Sequence, residues 1–283
     1  MKIKIVLYIV YFFLIGANAF SQIDTVKPMF KISSFSLGFG LLANQSPAIS
    51  QSDYKKIAPN NSLVNADLTG YTNSPSLIGN GYFNLNIGFN GKNKKTNTYN
   101  LRREYRVGFR FYSEDILSVT YDKSGRFDSS QINSLPYASI DSSKSYNYNI
   151  TTRTFMFDFG TIYQSNPKFL LTGYVGYNIG LGANFSSVAS AFLNSDVIIR
   201  SGSSYKYNSV NSKIEETPLR NSIVANATVV WGACLRLSKT KKFWSKCMLN
   251  IEGRFGVNSQ NIPNYKNFTR MVISSHFGFK FLL

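Results

Sequence analysis

Histidine and cysteine are nearly absent from this chain of 283 residues, which carries one of the first, His276, and two of the second, Cys234 and Cys247. One histidine excludes a metal site that takes two imidazoles from the same chain. It also leaves a single imidazole base for any Ser–His–acid arrangement. No CxxC pair and no glycine-rich phosphate loop occurs, and no cofactor is expected. A 3.6-residue apolar period is missing as well. The one uninterrupted apolar run, Ile5 to Ile15, is shorter than the roughly 20 residues a spanning helix needs. Acidic residues are few, with 14 Asp and Glu against 31 Lys and Arg. So basic a chain raises nucleic-acid binding, but its cations are spread over short turns and along strands instead of one patch. No nucleic-acid partner is expected.

The apolar run has the flanks of an export signal. Lys2 and Lys4 precede it, and Ala17-Asn18-Ala19 follows as a small-x-small cleavage site. Residues 1–21 read as a cleaved signal peptide and residues 22–283 as one mature domain. The two cysteines flank the Lys239–Lys242 turn, which suggests a cross-strand disulfide. Alternation argues against it, because Cys234 shares a face with polar residues and Cys247 shares one with Leu249 and Ile251. Partners in a pair must lie on one face.

What the chain does have is a two-residue period. Phe83-x-Leu85-x-Ile87-x-Phe89, Phe155-x-Phe157-x-Phe159 and Met271-x-Ile273 onward to Leu283 each alternate apolar with polar, the pattern of two-faced strands. Eight strands are expected, near 29–44, 80–91, 98–121, 144–164, 168–190, 219–238, 243–259 and 267–283. All eight prolines of the sequence fall at their starts or between them, as proline's missing N–H requires. The connections alternate too. Segments 45–79, 122–143, 191–218 and 260–266 are long, while Asn90–Asn97, Ser165–Pro167 and Ser238–Lys242 are tight and basic. Long loops at one end, short turns at the other and an even strand count describe an all-β, eight-stranded antiparallel up-and-down transmembrane β-barrel with long extracellular loops. Localisation in the outer membrane follows, with both termini periplasmic and outer-membrane lipid as the first partner.

A soluble eight-stranded barrel would put its apolar face inside. Here the polar face carries glycines such as Gly38, Gly40, Gly88, Gly180 and Gly278 among long charged side chains. A narrow lumen needs that mixture, and a solvated strand face does not.

The final residues, His276-Phe277-Gly278-Phe279-Lys280-Phe281-Leu282-Leu283, resemble the β-signal that the barrel-assembly machinery reads. His276 stands at its polar position, Gly278 follows two later, and Phe281 and Leu283 occupy the antepenultimate and final positions, with leucine where the pattern has an aromatic. The chain resembles small outer-membrane barrels of the OmpX/OmpA-transmembrane type. Its Asn, Lys and Tyr-rich loops, and the Ser-Gln near the cleavage site, are most similar to PorT-like Bacteroidota barrel proteins. The resemblance implies the assembly machinery as a partner and says little about activity.

Chemistry is expected in two places. Arg102, Glu104, Arg106, Arg110, Asp158, Arg236, Lys246, Glu252, Arg254, Arg270 and Lys280 should face inward as an ion-pair network plugging the lumen. Cations outnumber carboxylates in that set, which leaves open an anion site or a narrow anion-selective path. The loops, with Tyr54, Tyr71, Tyr137, Tyr146, Tyr205, Tyr207 and Tyr265 among Ser and Asn, suit adaptable surface contacts with an extracellular or envelope protein. A structural or interaction role without enzymatic activity is the first reading. A barrel hydrolase acting on lipid or peptide, with Ser274, His276 and Glu252, is the alternative.

Overall fold

The computed structural model describes residues 30–45, 49–75, 77–91, 101–128, 138–166, 169–201, 204–265 and 267–283. The expected export signal lies outside them. The strands are β1 (Phe30–Gln45), β2 (Thr72–Pro75), β3 (Leu77–Gly91), β4 (Arg102–Asp128), β5 (Ala138–Gln164), β6 (Leu171–Ser201), β7 (Ser204–Pro218), β8 (Ser222–Arg236), β9 (Cys247–Asn261) and β10 (Asn267–Leu282). Between β1 and β2 lie a short helix, α1 (Gln51–Ile57), and a 3-10 turn at Ser62–Asn65.

Eight of these strands form a closed antiparallel ring, β4-β3-β1-β10-β9-β8-β6-β5 and back to β4. The closing ladder joins the first strand to the last, from Ser34–Leu282 to Asn44–Val272. A ring without edges satisfies every backbone group in lipid, which an open sheet cannot do. Closure is uneven. The β3–β4 ladder runs only from Tyr82–Tyr112 to Phe89–Tyr105, whereas β4–β5 continues from Arg102–Gln164 to Asp128–Ser139.

The faces follow the alternation. Phe157, Ile179 and Phe277 are more than half exposed, while Arg106, Asp158 and Arg254 between or beside them are buried. The fold is thus a transmembrane barrel with its apolar side outward. Glycine placement belongs to the same geometry. A Cβ on Gly40 would fall 2.2 Å from the Tyr82 ring, and one on Gly180 would fall 2.5 Å from Met156 Sδ.

The strands differ greatly in length. β1, β3, β8, β9 and β10 have 15 or 16 residues, whereas β4 and β5 have 27 each and β6 has 31. A tilted strand crosses the bilayer in about 9–11 residues, so one wall of the barrel stands far above the membrane. This corrects the expected connections. Much of 122–143 is a continuation of β4 and β5, and 191–218 is the rest of β6 with β7 paired along it. Their Ser and Asn content resembles loop, but backbone pairing needs no apolar side chain once the strand has left the lipid. The 45–79 connection likewise contains α1, the 3-10 turn and β2, which extends the wall by pairing with β4 from Thr72–Asp122 to Pro75–Val119.

Two register shifts mark where that wall changes character, at Asp115/Leu117 on β4 and at Thr151/Arg153 on β5 against β6. Below them the even-numbered residues of β4 and β6 face inward. Above them Leu117, Val119 and Tyr121 on β4, and Ser187, Ala189 and Ala191 on β6, are the buried ones. A bulge shifts the side-chain parity of its strand. Here it lets the sequence present an apolar interior above a polar one.

Candidate functional site

The lumen within the membrane is filled by one connected chain of charges. Lys280 Nζ donates to both oxygens of Glu104, at 2.9 and 2.8 Å. Arg106 Nε reaches Glu104 at 3.2 Å, and its Nη1 reaches Glu252 at 2.6 Å. Arg254 then bridges Glu252 at 2.7 Å to Asp158 at 3.3 Å. Arg110 closes the series on Asp158 with a two-pronged contact at 2.5 and 2.8 Å. The members come from β4, β5, β9 and β10, so the chain crosses the barrel. Neutral groups take up remaining lone pairs. The Tyr174 hydroxyl donates to Glu252 at 2.8 Å and Asn178 donates to Asp158 at 3.0 Å. Fork-shaped guanidinium contacts of this kind are the strong form of the ion pair.

Apolar clusters pack alongside this ladder. Ile162, Tyr174, Val230, Cys234 and Met248 pack toward the short-turn end, and Leu42, Tyr82, Tyr112 and Val272 pack toward the outer end. Beyond the second cluster lies a separate clasp. Glu114 accepts from Arg270 at 2.6 Å, Gln260 at 2.6 Å and Asn44 at 3.0 Å. The free space beside Asn86, Arg106, Asn178, Glu252 and Arg254 is about 10 Å³, about the room one water needs.

Of the residues expected in the lumen network, Glu104, Arg106, Arg110, Asp158, Glu252, Arg254, Arg270 and Lys280 are buried there. The other three are placed differently. Arg102 is exposed at the rim, because the inward parity continues past the end of the enclosed lumen. Lys246 is exposed on a 3-10 turn at Trp244–Lys246, which interrupts the strand pattern assumed for it. Arg236 is partly buried and donates to the Ser245 carbonyl. Glu114 was missed, although it continues the even-numbered series of β4. With these changes five buried cations, Arg106, Arg110, Arg254, Arg270 and Lys280, face four buried carboxylates, Glu104, Glu114, Asp158 and Glu252. The large cation excess that motivated an anion path is a property of the rim and turns, not of the lumen among the described residues.

His276 points into the lumen between these clusters, its ring stacked on Tyr82 at 6.1 Å. Its Nδ1 has no hydrogen-bond partner. Glu252 is its neighbour across the β9–β10 ladder, where Ser274 is opposite Arg254. Among the described residues no serine hydroxyl is hydrogen-bonded to the imidazole. Gly278 faces Gly38 across the ladder, Phe281 is partly exposed, and Leu283 is exposed with its N–H on the Ser33 carbonyl at 3.0 Å. The cysteines are buried and free.

The outer end holds the second candidate, a folded cap. The amphipathic helix α1 begins at Ser50, whose side chain accepts from the Asp53 N–H. It turns Tyr54 and Ile57 into the interior and leaves Lys55 and Lys56 outside. Tyr54 stacks on Tyr148 at 4.9 Å, and Leu63 and Val64 of the 3-10 turn pack with Ile116, Leu117, Val119, Ile150, Ala189 and Ala191 of the tall wall. Polar ties fix it in place. The Tyr54 hydroxyl donates to Asn149 O at 3.1 Å, and the Tyr148 hydroxyl donates to Leu63 O at 3.2 Å. Glu215 on β7 accepts from the N–H groups of Ser62 at 2.5 Å and Leu63 at 3.2 Å. Lys213, hydrogen-bonded to Glu215, and the Ser62 hydroxyl together hold this carboxyl down at about 2.

This cap corrects the reading of the tyrosines. Tyr54 and Tyr146 are buried and so are interior aromatics, while Tyr71 and Tyr265 pack against the same core and stay partly exposed. The side chains of Tyr137, Tyr205 and Tyr207 lie outside the described residues. Signals existed in the sequence, since Tyr54 and Ile57 are three apart, but one helical turn among Ser and Asn gives too short a period to read.

No protein-family model and no curated protein matches the chain. Among solved structures it is similar to Neisserial surface protein A, with 10% identity over 88% of this chain and 97% of that one and a TM-score of 0.31. It is also similar to Ail, the attachment invasion locus protein of Yersinia pestis, in complex with the heparin analogue sucrose octasulfate. There the identity is 10%, over 89% of this chain and 100% of that one, with a TM-score of 0.29. The fold stands on the closed ring of ladders and its inverted faces, not on these scores.

Proposed function

We propose that the protein is an outer-membrane barrel with a structural or interaction role carried by its outer half, and that it is neither a general porin nor an enzyme. The observation that carries this reading is the contrast between a filled lumen and an elaborated outer wall. Among the described residues the lumen is crossed by paired charges, and no serine hydroxyl is hydrogen-bonded to His276. The chain instead commits most of β4 to β7 and a folded cap to structure that lies beyond the bilayer. Loops and extended hairpins on a rigid barrel are the usual place for binding residues. The proposal includes termini on the periplasmic side, reading of the C-terminal strand by the assembly machinery through His276, Gly278, Phe281 and Leu283, and kinship with PorT-like Bacteroidota barrels.

The test uses a photo-reactive residue at Ile214, exposed on β7, and another at Ile251, exposed on the lipid face. In living cells the first should form an adduct with an extracellular or envelope protein and the second should not. Absence of adducts at Ile214 and at further exposed outer-half positions would defeat the interaction role. Orientation is read separately. A cysteine at Lys144 should react with a membrane-impermeant maleimide on intact cells, whereas one at Lys242 should react only after permeabilisation. The two native thiols are buried and give little background.

A further inference from the structure

Exposed charge is distributed very unequally between the two ends of the barrel. At the outer end acidic and basic side chains mix, with Asp53, Asp67, Asp115, Asp122, Glu215 and Glu216 near Lys55, Lys56, Lys123, Lys144 and Lys213. At the short-turn end Lys31, Arg102, Arg103, Lys239, Lys241, Lys242 and Lys246 are all exposed. Among the described residues no exposed side-chain carboxylate accompanies them. Lumen carboxylates near that end, such as Glu104, are buried and already paired.

The densest part of this surface is a built turn. Ser238 Oγ accepts from the N–H groups of Thr240 at 3.3 Å and Lys241 at 3.1 Å. The Ser245 N–H donates to Lys241 O at 2.8 Å, and Arg236 donates to the Ser245 carbonyl. These bonds hold the segment with Lys239, Lys241, Lys242 and Lys246 in the open. They also fix Phe243 and Trp244, packed edge to face at 5.3 Å and both exposed. The turn adjoins apolar surface, since the Arg236 N–H donates to Leu170 O and Phe169, Leu170, Leu171 and Leu237 are exposed. Aromatic rings on the edge of an apolar belt belong at headgroup level, and lysine binds phosphate as a point charge.

We infer that the Ser238–Lys246 turn is a binding site for anionic phospholipid headgroups in the leaflet at the short-turn end of the barrel. Phe243 and Trp244 rest among the first acyl carbons, and the four lysines surround the phosphates. The excess of charge selects anionic over zwitterionic lipid, because each cation near the surface adds attraction that no exposed side-chain carboxylate among the described residues cancels. The inference rests on the barrel's faces and does not depend on the interaction role of the outer half.

Trp244 supplies the probe. The protein with Trp231→Phe, which removes the other tryptophan, is refolded into phosphatidylcholine nanodiscs. These contain the same small fraction of acyl-brominated phosphatidylglycerol or of acyl-brominated phosphatidylcholine. Quenching by the brominated phosphatidylglycerol should be about twofold stronger or more. It should fall to the phosphatidylcholine level in high salt, which screens exposed charge. The combined Lys239→Gln, Lys241→Gln, Lys242→Gln and Lys246→Gln variant should lose the preference while remaining heat-modifiable. Equal quenching by the two lipids, or a preference that survives both high salt and the substitutions, would overturn the site. If the quadruple variant fails to fold, the salt dependence of the unsubstituted turn still decides.

Discussion

The half of the barrel inside the membrane and the half outside it solve opposite packing problems with the same strands. Below the register shifts, the lipid takes the apolar side chains, so the interior must be made of polar groups that satisfy one another. Lys280, Glu104, Arg106, Glu252, Arg254, Asp158 and Arg110 do so in one chain. Above the shifts water surrounds the wall, and the interior turns apolar, with Tyr54, Ile57, Leu117, Tyr148 and Ile150 buried. A filled barrel can thus be closed by two unlike mechanisms in series. One is directional and intolerant of losing a partner. The other depends on area and is more forgiving.

Removing a charge from the ladder should have the largest effect. Asp158 accepts from Arg110, Arg254 and Asn178. Asp158→Asn therefore leaves two buried guanidinium groups short of a partner, and should destabilise the barrel by about 3–5 kcal/mol. Urea unfolding in lipid vesicles measures it. The alternating pattern alone would rank this change as mild, because asparagine is polar and the position faces inward. Only the partners reveal its cost. Phe157→Arg on the lipid side should cost about 2–4 kcal/mol in the same assay. An outcome in which both changes are tolerated would mean the faces are misassigned.

A smaller effect should stay within the outer half. Ile57→Ala removes a buried cap side chain and should cost about 2 kcal/mol, near the low end for such truncations because a short surface segment can settle. Faster hydrogen exchange across residues 49–71 would report it, with urea unfolding of the membrane half unchanged. Loss of heat-modifiability would show that the two halves are not separable.

The smallest effect comes from acid. Glu215 has its carboxyl lowered to about 2 by Lys213 and Ser62, so its tie to the cap is fully formed above the ordinary glutamate value of about 4.3. It is lost as pH falls through about 2. Protection of the Ser62 and Leu63 N–H groups, relative to their intrinsic exchange rates, should fall over that window and not above it, and Glu215→Gln should remove that dependence.

How much of this could be read in the sequence divides along the same line. In the membrane half the lipid forces strict alternation, so Phe157 beside Asp158 and Phe277 beside His276 disclosed strands, faces and most of the ladder. Glu114 was missed where the series approached the register shift, and Lys246 was misplaced by a turn that the alternation cannot see. In the outer half no solvent forces a period. The continuation of β4 to β6 and the strand β7 are written in Ser, Asn and Tyr, which also make loops. The cap depends on Tyr54 meeting Tyr148, residues far apart in the chain, and no local pattern carries that meeting.

The ladder and the apolar side chains packed along it close the lumen. Planar-bilayer recording of the purified barrel tests this closure most directly. Stable conductance is expected neither with the cap intact nor after its proteolytic removal, because the charged chain from Lys280 to Arg110 lies beneath it. A reproducible open state in either form, or passage of sugars into liposomes, would contradict that closure.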